Sequence, residues 1–272
     1  MDALADAYNT GLHCEKAGDI DGAETAYRKC LELDPTDTCG ARIRLASLGR
    51  VDPPSAAPAA YVKTLFDQHA EDFDYILTDQ LKYAVPMQIA EFLRRRRAQP
   101  FQRLLDLGCG TGLVGLMLGD MVEQAIGVDL SDQILDKADE RAVYDELFEN
   151  EAVHFLEEYP KAGSFGPHAF DLIVAADVFP YIGDLKPFFD AVQKNAGERA
   201  VLAVSCETLP ATAFGSRGWS ITAHQRYAHH EQYLRNLMEN AGFVDTLLFE
   251  TIQVRLEQGR PIPGYLAIAA RN

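Results

Sequence analysis

Apolar and polar positions change rhythm twice along this 272-residue chain. Over residues 7–35, "AYNTGLHCEKAGDIDGAETAYRKCLELDP", apolar and small residues recur three and four apart, as on one face of a helix. Gly18-Asp19 divides the stretch into two helices. Gly11 and Ala23 are the small residues where an antiparallel pair must approach closely, and Tyr27 fills the space one turn after Ala23. Pro35 stops the second helix, and Ala41–Leu48 reads as a third that caps the pair. Residues 51–60, "VDPPSAAPAA", are rich in Pro, Ala and Ser and read as a linker.

Helical spacing returns over residues 61–97, carried by Val62, Leu65, Phe66, Phe73, Ile76 and Leu77. Beyond it, short apolar runs alternate with helical ones. Strands are predicted at "RLLDLG" (103–108), "QAIGVDL" (124–130), "AVHFLE" (152–157), "FDLIVAADVF" (170–179) and "RAVLAVSCE" (199–207). "FVDTLLFETIQVR" and "GYLAIAAR" form a final antiparallel pair. Helices are predicted over "GLVGLMLGDM", "DQILDKADERAVYDELF", "LKPFFDAVQKNA" and "HEQYLRNLMENAG". Such alternation implies a parallel sheet with helices on both faces and a ligand at the carboxyl ends of the strands. The expected organisation is an all-helical segment at 1–50, a linker at 51–60 and an α/β domain at 61–272. Within that domain, 61–99 is a helical lid and 100–272 a seven-stranded core.

Charge narrows the partners. The net charge is −16, which repels phosphate backbones and makes nucleic acid a poor substrate. The basic run Arg94–Arg97 sits at a helix end, where cations suit the macrodipole. No run of 18 apolar residues suggests a membrane span, and the acidic N-terminus does not resemble a signal peptide. Five scattered cysteines, without a C-x-x-C pair or a zinc-type cluster, point to free thiols, no metal and the cytoplasm.

The chemistry concentrates in "LDLGCGTGLVGL", residues 105–116. It contains a literal G-x-G-x-x-G at Gly110–Gly115, the fingerprint of a dinucleotide loop. Charge argues for another ligand. A pyrophosphate on this loop would meet Asp106 at the strand end, a like-charge contact costing about 2–4 kcal/mol. S-adenosylmethionine carries a sulfonium and an ammonium, which a carboxylate favours. The glycines also begin directly after the strand, as Gly108-Cys109-Gly110-Thr111-Gly112, so the G-x-G-x-x-G starting at Gly110 begins two residues late for a dinucleotide turn. Asp129, ending the second strand, can accept both ribose hydroxyls, and Leu130 can lie against an adenine.

These residues resemble the class I S-adenosylmethionine-dependent methyltransferases. Asp106–Gly112 is similar to their motif I, Gly127–Ser131 to their acidic strand-two motif and "FDLIVAADVFPYI" to their strand-four motif. The likeness covers residues 61–271 and implies a Rossmann-like sheet. Residues 7–35 resemble one tetratricopeptide (TPR) repeat, with Ala7 and Cys14 departing from its pattern. The whole chain thus resembles a family of TPR-bearing methyltransferases that also has "LFD-x-x-A-x-x-FD", here Leu65–Asp74, and "RYAH", here Arg226–His229.

The resemblance implies that Asp106 holds the methionine end, that Gly108, Cys109 and Gly110 offer backbone, and that Asp129 and Leu130 hold the adenosine. It implies Glu151 for the adenine amino group, Asp177 against the cofactor as well, and Asp177 and Tyr181 facing the acceptor. His229 is the first candidate for a general base, Asp177 the second, and Arg226 a candidate for an acceptor carboxylate. Phe66 or Tyr75 is expected in the lid. The product would be S-adenosylhomocysteine and the acceptor a small molecule or a protein group. A single repeat cannot bury its own face, so segment 1–50 docks on the chain, on a protein partner or on a second copy. Two rival readings stay open: an NAD-dependent oxidoreductase, and a non-catalytic TPR scaffold.

Overall fold

A computed structural model describes residues 3–96, 99–162 and 169–271. Arg97, the last residue of the basic run, lies outside the described residues. Three helices open the chain: α1 (Ala3–Ala17), α2 (Ile20–Leu33) and α3 (Ala41–Ser47). Gly11 is required where α1 crosses α2, because a Cβ there would stand 2.5 Å from the ring of fully buried Tyr27. Ala23, Tyr27, Cys30, Ala41 and Leu45 form a small separate core.

Residues 51–60 run along the α/β unit. Ala56 bridges Ile182, and the carbonyl of Ser55 accepts from the amides of Gly183 (2.8 Å) and Asp184 (2.9 Å). Helix α4 (Ala59–Asp67), a π-turn at Tyr75–Gln80 and α5 (Val85–Arg96) follow. At the end of α5, Arg94 pairs with Asp120 (2.7 Å), Arg95 with Glu91, and Arg96 lies over the Phe92 ring.

The sheet is assembled from β1 (Phe101–Leu107), β2 (Val122–Asp129), β3 (Glu146–Glu149), β4 (Phe170–Ala175), β5 (Ala196–Glu207), β6 (Trp219–Ile221), β7 (Tyr227–His229), β8 (Asp245–Glu257) and β9 (Arg260–Ala270). Helices α6 (Leu113–Leu118), α7 (Asp132–Glu140), α8 (Ala152–Ala162), α9 (Lys186–Asn195) and α10 (Glu231–Asn240) connect them. Strands β3-β2-β1-β4-β5 are parallel, and β9 and then β8 continue antiparallel from β5. Alternation along the strands feeds two cores. Leu105, Leu107, Leu202 and Val204 meet α8, α9 and α10, whereas Leu104, Val201 and Ala203 meet α5 and α6.

Three expectations are corrected. Among the described residues the sheet has nine strands rather than seven: β6 and β7 pair with each other, and β7 joins β5 at Glu207, beyond the last residue of β4. At three residues each, they are too short for alternation to mark them. The third strand is Glu146–Glu149, and "AVHFLE" opens helix α8. Ala152, Phe155, Leu156 and Tyr159 are buried at helical spacing, and the Glu151 side chain accepts from the His154 amide to cap the turn. The helix expected over 132–148 stops at Glu140, where Ala142 takes a positive φ of 51°.

Candidate active site

A cavity of about 660 Å³ opens at the carboxyl ends of the strands, beneath the segment 59–81. Its floor is the glycine-rich loop. Gly108 (φ 68°), Gly110 (φ 53°) and Gly112 (φ 93°) all take left-handed backbone, which side chains resist. At Gly108 a Cβ would also stand 2.4 Å from Val178 Cγ2.

The loop's amides are turned inward. Gly108 N and Cys109 N both donate to the Val128 carbonyl, at 2.7 and 3.0 Å. Gly110 N donates to Asp129 Oδ2 at 3.0 Å, and Ser131 N to Asp129 Oδ1 at 3.0 Å. These three loop amides are therefore committed within the fold, and the charges beneath them are carboxylates.

Of the expected cofactor residues, Gly108, Cys109, Gly110, Asp129, Leu130, Glu151 and Asp177 line the cavity together, as does Tyr181. Burial raises the Asp129 carboxyl above its usual value, while the amides of Ser131 and Gly110 oppose the shift. Asp106 does not line the cavity. It lies below the loop, fully buried, with Oδ2 accepting from Tyr144 Oη at 2.6 Å and Oδ1 without a hydrogen-bond partner among the described residues. Burial pushes its carboxyl up to about 7.

At the other end, Asp177 follows β4 with φ 61°, its amide donating to Ser205 Oγ at 3.0 Å. Arg226 stands 3.5 Å from Asp177 and 4.0 Å from Glu207, with its guanidinium 5.1 Å from the centre of the Tyr181 ring. Glu207 is itself paired with Arg255, which also reaches Glu257 at 3.2 Å. Burial pushes the Tyr181 hydroxyl up to about 12. Asp177, Tyr181, Arg226 and Glu257 thus make one polar end in a mostly apolar chamber.

His229 is corrected as a base. It is the last residue of β7, 0% exposed and outside the cavity lining. Its Nε2 lies 2.9 Å from the Ile182 carbonyl and 3.1 Å from that of Gly183, so it donates to backbone. Burial depresses its pKa to about 4, which keeps the ring neutral. Of the two lid aromatics, Phe66 lines the cavity and Tyr75 is 59% exposed. Phe73, Ile76, Leu77 and Gln80 line the cavity at ordinary helical spacing, which leaves Tyr75 on the outer side.

Tyr144, Thr111, Asp74 and Arg141 went unassigned in the sequence. One signal for Tyr144 existed. Gly115, the last glycine of the G-x-G-x-x-G, is the point where a Cβ would stand 2.8 Å from the Tyr144 ring.

Comparison with known proteins agrees with this architecture. Residues 105–202 match the methyltransferase domain family. No curated protein matches the chain in sequence. Among solved structures, the 1,6-didemethyltoxoflavin-N1-methyltransferase of Burkholderia thailandensis is 16% identical, with a TM-score of 0.58 over 82% of this chain and 93% of that one. An S-adenosylmethionine-dependent methyltransferase of Thermotoga maritima is 15% identical, with a TM-score of 0.53 over 77% and 98%. Another, from Methanosarcina mazei, is 18% identical, with a TM-score of 0.51 over 66% and 96%. The described chain has the fold of the class I S-adenosylmethionine-dependent methyltransferases, with a methyltransferase-domain match over residues 105–202.

Proposed function

We propose that this chain is an S-adenosylmethionine-dependent methyltransferase acting on a small molecule, or on a side chain of a protein, admitted to the chamber under segment 59–81. The observation that carries the reading is the commitment of the loop amides to Val128 and Asp129. An anionic pyrophosphate would find acceptors and carboxylates there rather than free donors. A cationic ligand meets the complementary field. When bound, S-adenosylmethionine supplies a methyl group already activated on a sulfonium.

The chain's part is positioning. Asp129 and Leu130 hold the adenosine. Gly108 brings backbone close to the methionine end, with the Asp106 charge beneath it. Asp177 and Tyr181 face the acceptor, and the apolar roof excludes water. Alignment of this kind can contribute about 7–11 kcal/mol. Where the acceptor must lose a proton, Asp177 is the carboxylate placed to take it. The N-terminal helices, similar to one TPR repeat, and the segment that follows them serve as a docking element against residues 217–226, through Ser47 of α3 with Gln225 and Asp52 of that segment with Arg217.

The test is transfer of a labelled methyl group from S-adenosylmethionine into fractionated small molecules and proteins of a cell extract. Label appearing in one acceptor only with intact protein supports the reading. Cofactor binding without transfer in any fraction would favour a non-catalytic scaffold.

A further inference from the structure

Asp74, at the start of the π-turn, joins three parts of the molecule through one carboxylate. Oδ1 accepts from Thr111 Oγ1 of the glycine-rich loop, and Oδ2 pairs with Arg141 at the end of α7. Thr111 is 2% exposed. Arg141 in turn lies along the loop, its Cδ 3.6 Å from where a Cβ on Gly112 would stand. Among the described residues its Nη1 is buried without a hydrogen-bond partner, and Asp74 is the carboxylate paired with this guanidinium.

The neighbour Phe73 is what this anchoring holds in place. Its Cε1 lies 3.4 Å from the Cβ position of Gly110. From Phe73 a row of rings continues to Phe66 (5.6 Å) and on to Tyr181 (5.4 Å). All three line the cavity, and they roof it from the loop to the end of β4. Further pairs hold the same edge of the lid: Lys63 with Asp132 (2.7 Å), Ser131 Oγ donating to Asp67 (2.5 Å), and Lys137 with Glu71 (2.9 Å). Asp132 and Glu71 are largely exposed, and such pairs contribute little. The Asp74–Arg141 pair is better shielded, with side chains 39% and 24% exposed.

We propose that Asp74 is a positioning residue for methyl transfer: through Thr111 and Arg141 it sets the Phe73–Phe66–Tyr181 roof over the cofactor end of the cavity. This rests on the cofactor reading above. Asp74 does not line the cavity, whereas Phe73 does, so Asp74 acts through Phe73. Because the tie is a hydrogen-bonded ion pair between two lobes of the site, its loss speeds cofactor escape more than it slows entry.

The experiment measures S-adenosylhomocysteine affinity by calorimetry and its release by stopped-flow displacement, at low and high salt. It compares wild type, Asp74→Asn, Thr111→Val and the charge exchange Asp74→Arg/Arg141→Asp. Expected for Asp74→Asn is about tenfold weaker binding, arising in the release rate. The salt dependence of release seen in wild type should disappear, and the charge exchange should restore part of it. Thr111→Val, nearly isosteric, should shift release in the same direction and keeps the test valid if Asp74→Asn misfolds. A lower melting temperature with unchanged release and unchanged salt dependence would overturn the proposal. Failure of the wild-type chain to bind S-adenosylhomocysteine would overturn the cofactor reading and the proposal together.

Discussion

Tyr144 donates a hydrogen bond of 2.6 Å to Asp106 beneath the glycine-rich loop, joining residues 38 positions apart in the chain. The ring reaches that position because Gly115 leaves room for it. The same hydroxyl accepts from the Gly115 amide at 3.3 Å, so the phenol bridges the loop's helix to the carboxylate at the end of β1. Asp106 therefore has one oxygen held and one bare, in a place that water does not reach.

A carboxyl raised from 3.8 to about 7 binds its proton more tightly in the folded state than in the unfolded one. Its stabilising contribution is complete below about pH 4 and is lost as the pH rises toward 7. The stability advantage of Asp106→Asn over wild type should therefore grow across that window, as read from denaturant midpoints at pH 5 and pH 8. A cationic cofactor favours the ionised form, so binding near pH 6 should release a proton. Calorimetry in two buffers of different ionisation heat measures that release.

Gly108→Ala should damage the site more than the fold. The left-handed backbone costs about 1–2 kcal/mol for a residue with a Cβ, and the added carbon meets the stiff Val178 side chain at 2.4 Å. We expect loss of S-adenosylhomocysteine binding with near-native circular dichroism. Gly115→Ala should act on Asp106 instead, by displacing Tyr144, and should shift the pH window of stability.

His229→Phe separates structure from catalysis. It strips a donor from the Ile182 and Gly183 carbonyls and should cost about 1–3 kcal/mol of stability. With its pKa depressed to about 4, the wild-type histidine favours the folded state fully above about pH 6.5, and that contribution fades as the pH falls toward 4. Above pH 6.5 the pH profile of methyl transfer should be the same in variant and wild type. Loss of a limb of that profile in the variant would return His229 to the role of base.

Arg255 and Glu207 form an ion pair with exposures of 1% and 2%. Arg255→Met leaves the buried Glu207 carboxylate with the more distant Arg226, 4.0 Å away, as its remaining cation and should cost about 3 kcal/mol. Arg255→Met/Glu207→Gln should recover much of that, since removing both charges also removes their desolvation. Equal denaturation midpoints for the single and double variants would show that Glu207 does not need its partner.

The strands β1, β2, β4 and β5 were legible because parallel strands covered on both faces read as unbroken apolar runs, here "LLDL", "AIGVDL", "LIVAA" and "AVLAV". The acids at their ends, Asp106, Asp129 and Asp177, stood out for the same reason. Residues 152–157 misled because Val153 and Phe155 alternate like a strand, while the longer spacing of Phe155, Leu156 and Tyr159 decides for a helix. The four residues of "RYAH" divide between two environments. Arg226 enters the cavity, and His229 is drawn into the interior as β7 pairs with β6. Tyr144 with Asp106, and Asp74 with Arg141, are contacts across 38 and 67 positions, which local periodicity does not carry.

Whether the loop and Asp129 hold an adenosyl sulfonium cofactor rather than a dinucleotide is decided by calorimetric titration of the wild-type chain and Asp129→Asn with S-adenosylmethionine, S-adenosylhomocysteine and NAD. Holding the sulfonium cofactor requires saturable binding of the first two by wild type, strong weakening in the variant and no heat with NAD. NAD binding to wild type, or S-adenosylmethionine binding indifferent to Asp129, would contradict it.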